Sequence, residues 1–174
     1  MRWNWVRKSR CTESKTMRKL RLYLDTSVIG GYFDEEFEKH TKRLFTLLRT
    51  GVYKSFISES TIFELYKSPT VLVEEIRDLL SEFEYERLVE TDESRNLAQA
   101  YVDAKVLPPR CTDDARHVAI ATCENIDYII SWNCRHLANV ERIRQFNAIS
   151  LQCGYTVIDI RTPLEVTGDE NREI

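Results

Sequence analysis

Three acidic residues lie at positions where an α/β fold would bring them together. Asp25 closes a short apolar run, LRLYLD, that predicts a buried strand. Glu64 lies in the helix predicted after the second strand, and Asp114 opens a later predicted helix. In open parallel sheets, ligands bind beyond the carboxyl ends of the strands. Because Mg²⁺ prefers oxygen ligands and commonly takes one or two carboxylates with water and phosphate, these acids predict a magnesium site for phosphoryl chemistry.

Each of these acids also has a purely structural explanation. Asp25 could cap the helix that follows it, and Glu64 could be a solvated helix residue. Asp113 and Asp114 both suit the first turn of a helix, where the helix dipole favours negative charge. His117 lies one turn after Asp114, and we expect it to be a core residue or a support for a ligand rather than a ligand itself.

Polar and basic residues flank the three acids in sequence. We expect Thr26 and Ser27 to position water or phosphate through their hydroxyls or backbone N–H groups. The other residues expected to support the site from its periphery are Asp113, Ser131 and Asn133. The candidate contacts to the phosphate groups of a substrate are Lys67, Arg110, Arg116 and Arg135.

Alternating strands and helices are needed to position these residues. Strands are predicted at 20–25, 53–58, 87–90, 127–131 and 155–160. Helices are predicted at 26–33, 35–50, 59–67, 70–83, 92–106, 112–124 and 140–151, and Thr162-Pro163 is predicted to begin an irregular tail. This alternation indicates an α/β fold with a mostly parallel sheet covered by helices on both faces.

Composition is consistent with one cytoplasmic globular domain. The chain has 174 residues with 43% hydrophobic residues, it contains no apolar run long enough for a membrane span, and its N-terminus lacks a signal-peptide core. The five cysteines include no C-x-x-C pair, so neither a disulfide framework nor a zinc site is indicated.

Charge is distributed unevenly along the chain. Residues 1–21 carry eight Lys or Arg and one Glu, a net +7, whereas the whole chain carries −3, which leaves −10 for the remainder. Residues 1–16 lack hydrophobic periodicity, so we predict a basic, disordered extension followed by a single domain at 17–174. Met17 is an alternative translation start.

Three sequence blocks, in order, resemble the PIN-domain family and its VapC-like toxins. They are LRLYLDTSVIGGYF, ISESTIFELYKS and DDARHVAIATCENIDYIISWNCRHL, which place Asp25, Glu64 and Asp114 at the family's acidic positions. The resemblance spans about residues 20–166. It implies a three-layer sandwich, Mg²⁺ or Mn²⁺, endoribonuclease activity on RNA, a small antitoxin partner and a homodimer.

One position departs from the pattern of the family. Asn133, in SWNCRH, stands where many relatives carry a fourth acid, and its amide would add no charge to a metal site. Asn133 favours one alternative, an inactive module that binds RNA or an antitoxin. Two others also remain: a phosphotransferase or phosphatase with Asp25 as nucleophile, although Ser27 stands where that chemistry usually has a second acid, and a structural domain whose acids are all helix caps.

Overall fold

The structure is a computed structural model that describes residues 18–67 and 69–168, without the side chains at 71 and 109. Its strands are β1 (Arg21–Leu24), β2 (Lys54–Ser58), β3 (Tyr85–Leu88), β4 (Tyr128–Ile130) and β5 (Asp159–Arg161). Its helices are α1 (Thr26–Gly30), α2 (Glu38–Arg49), α3 (Glu59–Leu65), α4 (Thr70–Ser81), α5 (Asp92–Asp103), α6 (Thr112–Cys123), α7 (Val140–Gln152) and α8 (Pro163–Thr167). The predicted extension at 1–16 lies outside the described residues.

The five strands form one parallel sheet in the order β3-β2-β1-β4-β5. The chain moves outward from β1 to β3 and then returns to the other side of β1 for β4, so the strand order reverses between β1 and β4. Such a reversal opens a crevice beyond the carboxyl ends of the two strands. Asp25 lies there, and its backbone N–H donates to the carbonyl of Ile130, 3.1 Å away.

Side chains of the central strand alternate between two buried cores. Tyr23 packs into a core with α5, α6 and α7, whereas Leu22 and Leu24 pack into a core with α1 to α4. All three side chains are fully buried. A sheet covered on both faces explains why β1 is an almost continuous apolar run. The predicted α/β class and layered architecture are confirmed.

The third strand begins two residues earlier than predicted. It covers Tyr85–Leu88 instead of 87–90 and pairs only with β2, so it forms an edge of the sheet. Glu86 and Arg87 are exposed. Charged residues are typical of edge strands because they discourage further pairing. Because these two charged residues interrupt the apolar pattern, the sequence placed the strand two residues too late.

The last strand is also displaced from its predicted position at 155–160. The backbone N–H and C=O of Ile158 both bond to the side-chain amide of Asn147, each at 2.9 Å. Because that side chain satisfies the Ile158 backbone, pairing with β4 begins only at Asp159.

The prediction of an irregular tail from Thr162 is wrong. α8 begins there with a capping box, in which Thr162 and Glu165 each accept a hydrogen bond from the backbone N–H of the other. Pro163 occupies the first helical turn, where its missing N–H has no consequence. The helix packs against α2. Among the described residues, no helix combines the length and apolar character needed to cross a membrane.

Candidate active site

Asp25 occupies the crevice between β1 and β4, and its side chain is held by two serine hydroxyls. Its Oδ2 accepts hydrogen bonds from Ser27 Oγ at 2.6 Å and from Ser131 Oγ at 2.8 Å. The residue is only 5% exposed. Although Asp25 stands before α1, its side chain makes no capping hydrogen bond to that helix. Helix capping therefore does not explain this carboxylate.

The same two hydroxyls fix the loop that follows β4. Ser27 Oγ accepts from the backbone N–H of Trp132, and Ser131 Oγ accepts from that of Asn133, both at 3.0 Å. Each serine therefore links the Asp25 carboxylate to the loop backbone. Ser131 was expected to support the site, and its side chain is fully buried against Asp25.

Glu64 reaches the same region from α3. Ser58 caps this helix, and its hydroxyl accepts from the backbone N–H of Thr61. Glu64 Oε2 accepts from Thr26 Oγ1 at 2.5 Å, and Oε1 lies 3.1 Å from His117 Nε2. Burial alone would raise the pKa of Glu64, but the hydrogen bonds with His117 and Thr26 outweigh it and lower the pKa. Glu64 is therefore anchored as a carboxylate beside Asp25.

His117 supports Glu64 from within the core. It is 2% exposed, and both of its ring nitrogens have hydrogen-bond partners, Glu64 and Tyr23. Burial by itself would lower the pKa of His117, but Tyr23 and the carboxylates of Glu64 and Asp25 raise it well above its usual value. Because both ring nitrogens are hydrogen-bonded, His117 supports the candidate metal ligand Glu64 and offers no free nitrogen to a metal ion.

Asp114 opens α6 on the far side of the crevice. Its pKa is raised to about 6, first by burial and then by the charges of Asp25 and Glu64, although His117 and Asn133 partly oppose the shift. Both other acids are close enough to disfavour its ionisation. The three predicted acids therefore share one electrostatic environment.

Asn133 points its amide nitrogen toward Asp114. Nδ2 donates to Asp114 Oδ1 at 3.3 Å, while Oδ1 accepts from the backbone N–H of His136 at 3.1 Å. The backbone therefore already engages the oxygen of this amide, and the amide nitrogen faces Asp114. Asn133 supports the Asp114 carboxylate.

Asp113 and Arg116 line a cavity together with Glu64 and Lys67. The Asp113 side chain is 69% exposed and pairs with Arg116 Nη1 at 3.3 Å. Arg116 in turn makes two hydrogen bonds to Glu90, at 2.7 and 2.9 Å. This guanidinium is committed to protein carboxylates, which leaves it less available for an RNA phosphate.

The other basic candidates are distributed around the crevice. Lys67 Nζ lies 4.5 Å from the centre of the Phe63 ring. Arg110 and Arg135 are exposed, and both are near enough to His136 for their charges to help lower its pKa, after the larger effect of its burial.

A metal ion would need some adjustment of these side chains. Among the described residues, no three His, Cys, Asp or Glu side chains form a ready-made metal site. The donor set nevertheless suits a hard cation, because it supplies only carboxylate oxygens and their negative charges act on one another.

Comparison with known proteins identifies the fold. No family model and no curated protein matches the sequence, whereas sixteen chains of solved structures match the coordinates. One match is VapBC2 from Rickettsia felis bound to a DNA fragment from their promoter, with TM-score 0.52, 14% identity, and coverage of 82% of this chain and 98% of that chain. Another is FitAB bound to an IR36 DNA fragment, with TM-score 0.53, 15% identity, and coverage of 87% and 99%. The chain has the PIN-domain fold. The match to a VapBC structure agrees with the resemblance to VapC-like proteins found in the sequence.

Within this PIN-domain fold, the sequence pattern did not reveal the polar residues beneath the acids. Tyr23, Ser58 and Thr61 are fully buried and share hydrogen bonds around the Tyr23 hydroxyl. Their only signal was the phenol of Tyr23 between the apolar residues Leu22 and Leu24 of the central strand. A buried hydroxyl normally has a partner, so this position indicated a polar contact without identifying it.

Proposed function

We propose that this chain is a metal-dependent endoribonuclease and the toxin of a toxin–antitoxin pair. The observation that carries the proposal is the convergence of Asp25, Glu64 and Asp114 at the strand-order reversal of a PIN-domain fold. The elevated pKa of Asp114 supports it, because two neighbouring charges contribute to the shift. A bound cation would relieve the repulsion that the charges of Asp25 and Glu64 exert on Asp114.

In this proposal Asp25, Glu64 and Asp114 hold Mg²⁺ or Mn²⁺, partly through water. A divalent cation here would supply a nucleophile from water at neutral pH and neutralise charge on the phosphodiester. The chain itself would fix the carboxylates: Ser27 and Ser131 hold one oxygen of Asp25, and Asn133 donates to Asp114.

Arg110 and Arg135 are the basic residues we favour for contact with RNA phosphates. Both are exposed, and the charges of both act on His136, whose backbone N–H donates to Asn133. Lys67 is a third candidate, on the Glu64 side. Arg116 is less suitable because Glu90 already occupies its guanidinium.

Cleavage of RNA by the purified chain tests the enzymatic part of the proposal. Structured RNA is incubated with protein and Mg²⁺ or Mn²⁺, with and without EDTA, and products are resolved on a gel. Asp114→Asn should reduce the cleavage rate by at least about 100-fold, because even outer partners of a metal commonly contribute 10- to 100-fold. Asp113→Asn is the matched control, since it makes the same change one residue away on an exposed side chain.

Two results would contradict the enzymatic proposal. One is cleavage that persists undiminished in EDTA, and the other is equal loss of activity in both aspartate variants. An inactive module that binds RNA or an antitoxin is the second candidate, favoured by the orientation of Asn133. Tight RNA binding without any cleavage by the wild-type protein would support that module.

We propose a protein partner because solved structures with a similar fold are complexes. The VapBC2 structure is bound to a DNA fragment from their promoter, and the FitAB structure is bound to an IR36 DNA fragment. For this chain we propose a small antitoxin encoded by an adjacent reading frame, and a homodimer. Co-expression with that neighbour should yield a complex and relieve growth inhibition, while size-exclusion chromatography with light scattering measures the oligomeric state.

A further inference from the structure

A buried chain of hydrogen bonds runs from the interior of the sheet to Glu64. The Tyr23 hydroxyl lies 2.7 Å from Ser58 Oγ, 3.2 Å from Thr61 Oγ1 and 2.5 Å from His117 Nδ1. On the other side of the ring, His117 Nε2 lies 3.1 Å from Glu64 Oε1. Glu64 is the first partially exposed member of this chain, with 27% of its side chain accessible.

The donors and acceptors in this series of hydrogen bonds determine how the His117 ring is oriented. An ionised Glu64 can only accept, so Nε2 must carry a hydrogen that points to it. The Tyr23 hydroxyl donates its single hydrogen to Ser58 Oγ, so Nδ1 is the donor to the phenol oxygen. The tyrosine thus engages Nδ1, while Nε2–H points to the Glu64 carboxylate.

Both oxygens of Glu64 are thereby held by the protein. Oε1 accepts from His117, and Oε2 accepts from Thr26, the residue next to Asp25. A carboxylate with a fixed plane presents its remaining lone pairs in a constant direction. Outer partners of this kind orient ligands, and their loss commonly weakens metal binding 10- to 100-fold.

We propose that Tyr23 is a positioning residue, which acts through His117 to hold the Glu64 carboxylate in the orientation that binds the cation. This inference rests on the proposed function and extends it to a residue that is fully buried and makes no contact with the crevice. Without the phenol hydroxyl, Nδ1 would lose its closest partner, and the ring would no longer be fixed relative to Glu64.

Tyr101 provides a matched control for the removal of a buried phenol hydroxyl. Like Tyr23, it is fully buried and hydrogen-bonded, with its hydroxyl 2.8 Å from Ser150 Oγ. Tyr23→Phe and Tyr101→Phe are compared in the full chain by melting temperature and by Mn²⁺ affinity. Both variants should melt at lower temperature, but only Tyr23→Phe should bind Mn²⁺ more weakly, on the order of 10-fold.

A double-mutant cycle tests whether Tyr23 acts through the histidine. His117→Gln retains a side-chain donor and removes the imidazole nitrogen that faces Tyr23. In that background Tyr23→Phe should cause no further loss of Mn²⁺ affinity, because coupled residues are non-additive. Nitrogen NMR adds a metal-free readout, since the chain has only three histidines: the His117 ring signals should change in Tyr23→Phe and not in Tyr101→Phe.

The outcomes separate this inference from the proposed function. If the wild-type protein does not bind Mn²⁺, the proposed function is overturned and the inference with it. If the wild-type protein binds Mn²⁺ and Tyr23→Phe binds it equally well, the inference alone is overturned. Thr61→Val removes another partner of the same phenol and serves if Tyr23→Phe does not fold; unchanged Mn²⁺ affinity in that variant overturns the inference as well.

Discussion

The side-chain amide of Asn133 donates a hydrogen bond to Asp114, with Nδ2 3.3 Å from Oδ1. A neutral donor at this position stabilises the ionised carboxylate and partly offsets the repulsion from Asp25 and Glu64. The metal-free site therefore tolerates three acids because the fourth position does not add a charge.

Asn133→Asp should lower the stability of the metal-free protein and raise its affinity for Mn²⁺. A fourth carboxylate beside Asp114 would repel the others, so we expect the metal-free protein to lose about 1–3 kcal/mol of unfolding free energy. Mn²⁺ affinity should rise, because a cation neutralises the added charge. Chemical denaturation and isothermal titration calorimetry measure the two effects.

Asn139→Asp is the matched control for that substitution. Asn139 also accepts backbone N–H hydrogen bonds, as the cap of α7, and Asp caps helices equally well. We expect a change within about 0.5 kcal/mol and no change in Mn²⁺ affinity. If both variants behave alike, the effect at 133 is not specific to the acidic cluster.

Asp114 should make the stability of the metal-free protein decrease as pH rises from about 4 to about 6. Its pKa is raised from 3.8 to about 6, so between these values the folded state binds the proton more tightly than the unfolded state. Under that condition each rise in pH favours unfolding. The change in slope between wild type and Asp114→Asn, followed by denaturation across this range, isolates the contribution of this group.

Stabilisation by bound metal should increase with pH, in contrast to the decreasing stability of the metal-free protein. Binding requires the deprotonated carboxylate, so Mn²⁺ affinity should fall as pH decreases below about 6. The increase in melting temperature at fixed Mn²⁺ should accordingly be larger at pH 7.5 than at pH 5. A metal-induced shift that is constant over this interval would argue against Asp114 as a ligand.

The sequence predicted which acids lie near one another, but not which side-chain atoms in the site are hydrogen-bonded to the rest of the protein. Asp25, Glu64 and Asp114 could be placed together because strand ends and helix starts follow from hydrophobic pattern and topology. The direction of the Asn133 amide depends on the backbone N–H of His136, and that contact requires a folded loop. Side-chain direction in the site is therefore a tertiary property.

The errors in the fold have similarly specific causes. The final strand moved because Asn147, eleven residues away, satisfies the backbone of Ile158. Nothing in the local pattern around 158 could indicate that contact. α8, in contrast, had a visible signal: Thr162, Pro163 and Glu165 form a capping box with proline in the first turn, a sequence signature of a helix start.

Thr162→Ala should destabilise the C-terminal helix. It removes the hydroxyl that caps α8, and loss of such a cap costs about 1 kcal/mol. Because α8 packs on α2, the change should appear in global denaturation. Thr156→Ala, at an exposed threonine with a 3.3 Å contact to Asn125, should change stability by less than about 0.5 kcal/mol. Equal effects of the two substitutions would contradict the role of the cap.

Ser131→Ala should be more damaging than the same change at another buried serine. Ser131 Oγ donates to Asp25 and accepts from the backbone of Asn133, so its removal leaves a buried carboxylate short of a donor. We expect a loss of about 1–3 kcal/mol in unfolding free energy. Mn²⁺ affinity should also decrease, because the oxygen of Asp25 would be less firmly oriented.

Ser55 supplies the comparison within the same sheet. It is buried on β2, and among the described residues its Oγ has no hydrogen-bond partner. Removing an unsatisfied hydroxyl is neutral or stabilising, so Ser55→Ala should keep or raise the unfolding free energy and leave Mn²⁺ binding unchanged. If Ser55→Ala is as destabilising as Ser131→Ala, then loss of packing at a buried serine, rather than the bond to Asp25, accounts for the cost. If only Ser131→Ala weakens Mn²⁺ binding, the hydroxyl acts on the site through the orientation of Asp25.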